Sequence, residues 1–130
     1  MRATYYDPRT GQMVDAAVES IGDFARIAEV VARLKTQRGI PTIELFRHEG
    51  SSLSFSSDGE RAFLVWIDTL GDSYHSIGGG FDDDLVFDYL GSWSEAPGEY
   101  LVPCIDAVEA VGAFLSAGSP VTQSVMFSPE

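Results

Sequence analysis

Positive charge is absent from the second half of this chain. All eight Lys and Arg residues lie at or before Arg61, whereas residues 62–130 carry eleven Asp and Glu residues and no cation. The formal net charge is −12. A field of this sign repels nucleic acid and anionic membrane surfaces, and it speeds the encounter with a basic protein. We therefore expect neither nucleic acid nor a membrane as a partner.

Cysteine and long apolar runs are also scarce. Cys104 is the only cysteine, so no intramolecular disulfide can form, and a thiolate metal site would have a single ligand. No apolar run approaches the ~18 residues that cross a bilayer, and the first residues lack the apolar core of a secretion signal. A length of 130 residues suits one domain. We predict a single cytoplasmic domain over residues 1–130, monomeric when free.

Turn residues between apolar runs predict an antiparallel sheet. The central Asp-Gly of SDGE, between LSF at 53–55 and RAFLVWI at 61–67, favours a tight hairpin. RAFLVWI is apolar nearly throughout, so we expect a central strand that is covered on both faces. The other predicted strands are residues 3–7, 12–18, 42–48, 73–77, 85–90, 92–95 and 121–127.

Two segments have helical periodicity. Ser20, with an aspartate three positions later, resembles a capping box, and Gly39 stands where a glycine often ends a helix, which predicts a helix over residues 21–38. Pro103, at the first helical position, begins a second predicted helix that runs to Gly118. The pattern predicts an α+β domain, with a single antiparallel sheet of about six or more strands and two amphipathic helices packed against one face.

The most unusual stretch is GGGFDDDL at residues 78–85. A phosphate-binding loop requires a lysine after its glycines, and no cation follows Arg61. An EF-hand places its acidic ligands on alternate residues, whereas Asp82, Asp83 and Asp84 are consecutive. We therefore predict a solvated acidic loop, and we expect no metal or other cofactor.

No catalytic arrangement stands out in the sequence. His75 has serines beside it, but residues so close along one strand cannot converge as nucleophile, base and acid. Pro103 and Cys104 resemble part of the zinc-deaminase motif, yet the second cysteine and the His-x-Glu element are absent. A carboxylate pair of the glycosidase kind stays open, because twenty acids offer many pairs. We predict that the protein is not an enzyme; the alternative is a small-molecule-binding domain or a minor hydrolase that uses a carboxylate pair.

Aromatic side chains alternate with acids between residues 72 and 95. Tyr and Trp are favoured at protein interfaces, and carboxylates around them select a basic partner. This pattern predicts a protein-binding surface. The candidate binding residues are Asp72, Tyr74, His75, Asp82, Asp83, Asp84, Asp88, Trp93 and Glu95.

Two longer stretches carry a family resemblance. They are SLSFSSDGERAFLVWIDTLGDSYHSIG at residues 52–78 and PCIDAVEAVGAFLSAGSP at residues 103–120. Together with the aromatic strand region between them, they resemble immunity protein family one of bacterial polymorphic toxin systems. The likeness covers the chain from about residue 20 onward and includes no catalytic signature.

The resemblance implies a small cytoplasmic protein that binds and neutralises a cognate toxin domain, frequently a deaminase-like toxin that acts on nucleic acid. Such a toxin is expected to have a basic substrate groove, which an acidic surface could fill as a polyanion mimic. The nine candidate residues would then contact the toxin, with Tyr74 and Trp93 as apolar anchors. A general regulatory interaction module without a toxin partner is a third alternative.

Overall fold

The computed structural model describes residues 1–130 and contains two helices and eleven strands. The helices are α1 (Ile21–Ala32) and α2 (Cys104–Ala117). The strands are β1 (Arg2–Asp7), β2 (Gln12–Ala17), β3 (Ile40–Pro41), β4 (Ile43–Phe46), β5 (Ser52–Ser57), β6 (Arg61–Ile67), β7 (Ser73–Ile77), β8 (Leu85–Tyr89), β9 (Ser92–Ala96), β10 (Val102–Pro103) and β11 (Met126–Pro129). A single 3-10 turn covers Gly98–Tyr100.

Eight strands form the main antiparallel sheet. Its order is β11-β7-β6-β5-β4-β1-β2, and the short β10 pairs with β6. The remaining three strands form a small sheet, in which β8 pairs in parallel with β3 and antiparallel with β9. The predicted α+β class with a main antiparallel sheet and two helices is confirmed. The small second sheet was not predicted.

Both helices pack on the same face of the main sheet. Phe24 of α1 meets Phe55 of β5 edge to face, with ring centroids 5.1 Å apart. Phe114 and Val111 of α2 are fully buried in the same cluster, above Leu64 of β6. Burying a side chain of this size stabilises the fold by about 2 kcal/mol, so this layer holds the domain together. The other face of the main sheet is called the open face below.

Helix α1 begins as predicted but ends earlier. The Ser20 hydroxyl accepts the Asp23 amide hydrogen at 3.3 Å, and the Asp23 carboxylate accepts the Glu19 amide hydrogen at 2.8 Å. The helix ends at Ala32 instead of residue 38. Gly39 is therefore not its terminal glycine: it has a φ of +94° and closes a turn that leads directly into β3.

Helix α2 is held at its C-terminal end by two groups. The Gly118 amide donates to the Phe114 carbonyl at 2.8 Å, and the Arg47 side chain donates to the carbonyls of Phe114 and Leu115. A cation at this end also interacts favourably with the negative end of the helix dipole. Pro103 is the residue before the helix and not its first residue, and the last strand is Met126–Pro129 instead of 121–127. Neither helix has the length and apolar character needed to cross a membrane.

Strand β6 is covered on both faces only near its start. Ala62 and Leu64 are buried under the helices, as expected for a central strand. On the open face, Phe63 packs against the small sheet, with its ring centroid 6.1 Å from that of Phe87. Beyond Phe63 the small sheet no longer covers β6, and Ile67 is exposed. The uncovered part of the open face therefore forms a surface of its own.

Candidate functional site

The ion pairs are distributed unevenly along the chain. The acidic partners in six of the seven ion pairs lie within the first 61 residues. The seventh pair joins Arg38 to Asp88. All other carboxylates after residue 61 have no cationic partner, so the excess of acids in the sequence remains as unpaired carboxylates in the folded protein.

The loop between β7 and β8 is held by one cation from outside it. Arg61 pairs with Asp58 at 3.0 Å, and the same guanidinium donates to the main-chain oxygen of Asp83 at 2.6 Å. Asp84 accepts the Gly98 amide hydrogen at 3.2 Å through its side chain. Asp82 and Asp83 are exposed, and their carboxylates form no hydrogen bond or ion pair. The loop thus presents two free carboxylates on a fixed main chain.

Strand β9 places an exposed tryptophan beside this loop. Trp93 is 57% exposed, and its indole nitrogen donates to the Glu95 carboxylate at 3.1 Å. Trp93 and Asp84 line one groove of about 330 Å³, whose lining also includes Lys35 and Arg61. We call the set Asp82, Asp83, Asp84, Trp93 and Glu95 the acidic-aromatic surface.

Asp88 was predicted to contact a partner, and the structure shows that this is wrong. Its side chain is fully buried, accepts the Gly91 amide hydrogen at 2.7 Å and pairs with the Arg38 guanidinium at 3.2 Å. Asp88 lies opposite Trp93 in the β8–β9 pair, but Arg38 covers it. Asp88 therefore fixes the small sheet to the turn before β3 and cannot reach a partner.

The other three candidate residues do not line the groove that Trp93 and Asp84 share. Tyr74 stacks on Trp66 at 4.9 Å and donates to Asp68, and burial together with the Asp68 charge raises the pKa of its hydroxyl. His75 is on the opposite side of β7, with its ring centroid 4.1 Å from that of Tyr100. Asp72 is exposed in the turn before β7. The nine predicted residues therefore do not form one contact surface.

A second concave site lies on the open face and was missed from the sequence. It is a groove of about 260 Å³ between the main sheet and β8, called the open-face groove below. Its lining consists of Glu44, Ser52, Ser54, Ser56, Phe63, Val65, Ile67, Phe87, Tyr89 and Glu130. The lining combines polar side chains with aromatic and aliphatic ones, which is the usual character of a small-ligand site.

Glu44 is the central acid of this groove. It is half-buried, and its side chain has no hydrogen bond or ion pair. Burial raises the pKa of its carboxyl group, and burial together with the Glu44 charge raises the pKa of Tyr89. The guanidinium of Arg2, on the adjacent strand, lies over the Phe46 ring at 4.9 Å instead.

Strand register explains how the groove forms. Glu44 is opposite Ser54, and Ser54 is opposite Val65 on the next strand, so the three side chains share a row on the open face. In the sequence, Ser52, Ser54 and Ser56 alternate with the apolar Leu53 and Phe55, and this alternation was a signal for a polar face. The glutamate could be added to it only once the pairing of β4 with β5 was known.

No three histidine, cysteine, aspartate or glutamate side chains are grouped so that they could hold a metal ion. The chain matches no protein-family model, and no curated protein matches it in sequence. Its function therefore has to be argued from the two surfaces described above.

Proposed function

We propose that this protein is a cytoplasmic immunity protein that binds and neutralises a cognate bacterial toxin domain through the acidic-aromatic surface. The observation that carries the proposal is an exposed tryptophan that is hydrogen-bonded to Glu95 and shares a groove with Asp84, both acids without an ion-pair partner. The toxin is expected to be basic, as a deaminase-like or other nucleic-acid-targeting domain would be. Such a domain attracts phosphates with Lys and Arg side chains, and the same side chains attract carboxylates.

Charge and apolar contact have different parts in this proposal. Exposed carboxylates such as Asp82 and Asp83 mainly raise the association rate, because their field acts before contact. Trp93 keeps the complex together once it has formed, since a desolvated tryptophan is a frequent hot spot. The fixed main chain of the loop supports binding, because little ordering of the chain has to accompany association.

The proposed toxin contact involves fewer residues than the nine that the sequence predicted. Trp93 is the single aromatic anchor in this proposal. Tyr74 is left out, because it stacks on Trp66 within the protein. Lys35 borders the acidic-aromatic surface and would face a basic toxin unfavourably. The favoured orientation therefore places the toxin over Asp82, Asp83 and Glu95, away from Lys35.

Co-expression with a toxin tests the proposal directly. The gene immediately upstream is expected to encode the C-terminal toxin domain of a larger secreted protein. Co-expression should restore growth, and the two proteins should co-purify. Failure of both rescue and co-purification would overturn the proposed function.

A tryptophan substitution tests the surface. Trp93→Ala is expected to weaken toxin binding by at least tenfold, measured by calorimetry, because the anchor is lost. Leu70→Ala is a matched control, since Leu70 is 85% exposed in the turn between β6 and β7, away from the surface. Equal affinities for the two variants would remove Trp93 from the interface.

The second candidate function is small-molecule binding, or a minor hydrolase activity that uses a carboxylate pair. The observation that favours it is the open-face groove, which contains Glu44 and Glu130. Binding requires only the groove, whereas hydrolysis would also require a positioned water or nucleophile.

A further inference from the structure

We propose that the open-face groove binds a guanidinium or primary ammonium group carried on an aliphatic chain. This inference deepens the second candidate function, small-molecule binding, and it does not depend on toxin binding. The group would lie against Glu44, with its chain along the aromatic wall.

Glu44 lies in the groove without a partner for its charge. A half-buried carboxylate normally has a cation or several hydrogen-bond donors around it, because burial without them costs free energy. Glu44 has neither, and the one strand neighbour that could supply a cation, Arg2, is directed to Phe46. A bound cation would satisfy this carboxylate.

Aromatic side chains lie in the same groove as Glu44. Phe63 lies beside Ser56 on the main sheet, and Phe87 and Tyr89 of β8 also line the groove. Aromatic faces attract cations through the ring quadrupole, and they pack well against methylene groups. Carboxylate and aromatic walls together favour an organic cation over a neutral polar molecule.

The serine hydroxyl groups and the negative charge of the protein also favour a cation in the groove. The hydroxyl groups of Ser52 and Ser54 have no protein partner, so they can accept hydrogen bonds from guanidinium or ammonium N–H groups. An anion is disfavoured, because Glu44, Glu130 and the net charge of −12 repel it. A metal ion would find only two carboxylates here, fewer than such ions require.

The volume limits the ligand. A groove of about 260 Å³ is slightly below the range of drug-sized sites, which is about 300–1,000 Å³. It suits one side chain or a short amine and not a nucleotide. The ligand class is therefore an alkyl guanidine or alkyl amine, either free or as an exposed side chain of a peptide.

The experiment compares two ligands of the same shape on the wild-type protein. n-Butylguanidinium and its neutral counterpart n-butylurea are titrated separately and followed by amide chemical shifts. We expect saturable shifts at Ser54, Val65 and Tyr89 with the cation, and at least tenfold weaker binding of the urea. Equal binding of the two ligands, or shifts that avoid the groove, would overturn the proposal.

A variant pair identifies the carboxylate. Glu44→Gln should reduce butylguanidinium affinity by at least tenfold, whereas Glu60→Gln, an exposed acid in the β5–β6 turn, should leave it unchanged. Glu44→Gln is expected to fold at least as stably as the wild type, because it removes a half-buried charge that has no partner. Unchanged affinity in a folded Glu44→Gln protein would contradict the assignment.

A third titration distinguishes the source of the cation. An N-acetylated, C-amidated Ala-Arg-Ala peptide that binds more tightly than butylguanidinium indicates a protein side chain, and weaker binding indicates a free small molecule. Both results support the chemistry of the site, and absence of binding by either ligand overturns it. Toxin rescue by Glu44→Gln, measured separately, shows whether the groove and the acidic-aromatic surface act independently.

Discussion

Asp83 and Asp88 lie five residues apart in the same acidic stretch, yet the structure gives them opposite roles. Asp83 is exposed with a free carboxylate, whereas Asp88 is fully buried and has two partners, Arg38 and the Gly91 amide. We expect Asp88→Ala to lower the free energy of unfolding by about 3 kcal/mol, because it leaves a guanidinium and a buried N–H without their acceptor. Urea unfolding measures the loss.

The matched control for this prediction is Asp83→Ala, which removes the same chemical group from the surface. It should change the free energy of unfolding by less than about 0.5 kcal/mol, because no side-chain partner is lost. If both variants unfold at the same urea concentration, Asp88 is not the buried contact described here.

The turn before β3 depends on one glycine. Gly39 has a φ of +94°, and a Cβ atom at this position would lie 2.6 Å from the Val86 carbonyl oxygen. Because the Cβ position is fixed by the Gly39 backbone and its neighbour is a main-chain oxygen, the clash cannot be relieved without opening the β3–β8 pair. Gly39→Ala is therefore expected to cost about 3 kcal/mol or more, the sum of left-handed strain and a main-chain clash.

Gly59 separates these two causes. It has a similar φ of +96° in the β5–β6 turn, but nothing lies within 4 Å of its Cβ position. Gly59→Ala should cost only the backbone strain, about 1–2 kcal/mol. Thermal unfolding of the two variants gives the comparison, and an equal fall in Tm would show that the close approach at Gly39 has no energetic effect.

The elements that sequence predicted best are those fixed by local chemistry. The Asp-Gly turn predicted the β5–β6 hairpin, and Ser20 with Asp23 predicted the start of α1. The predicted end of α1 at residue 38 was wrong. After Ala32 the chain leaves the helix, turns between Thr36 and Gly39, and pairs with β8 through β3. No local signal in residues 33–38 reports that pairing, so the early end of α1 depended on a long-range contact.

The candidate surfaces show the same division. The acidic loop and Trp93 were found from residue types alone, because exposed acids and aromatics are informative without a register. Burial of Asp88 was missed, because the residue that covers it, Arg38, lies 50 positions earlier. Glu44 was missed for a related reason: it joins the serines of β5 only through cross-strand pairing.

At the scale of the whole molecule, most acids of the second half of the chain remain without an ionic partner after folding. The cations of the first 61 residues are paired mostly with their own neighbours, so they do not neutralise the acids that follow. The molecule therefore keeps a strong net negative charge of −12, which attracts a basic partner during approach. The proposed toxin contact predicts how the association rate responds when that charge is changed.

Two exposed aspartates of the loop between β7 and β8 can be reversed in charge together. Asp82→Lys combined with Asp83→Lys should slow association with the toxin about tenfold at low salt, because the loop then repels a basic surface. The effect should shrink at ~0.5 M salt, where the Debye length falls to a few ångströms. Asp84 is left unchanged, since its side chain accepts the Gly98 amide hydrogen and its loss would disturb the loop. Stopped-flow mixing measures the rate.

The control carries the same change in net charge at two exposed acids elsewhere. Asp15 on β2 and Glu109 on α2 form no ion pair, so Asp15→Lys with Glu109→Lys leaves the loop intact. Because both double variants lose the same amount of negative charge, any difference in rate reports position and not total charge. Equal slowing by the two variants would mean that the toxin responds only to net charge and that the acidic loop is not part of the contact.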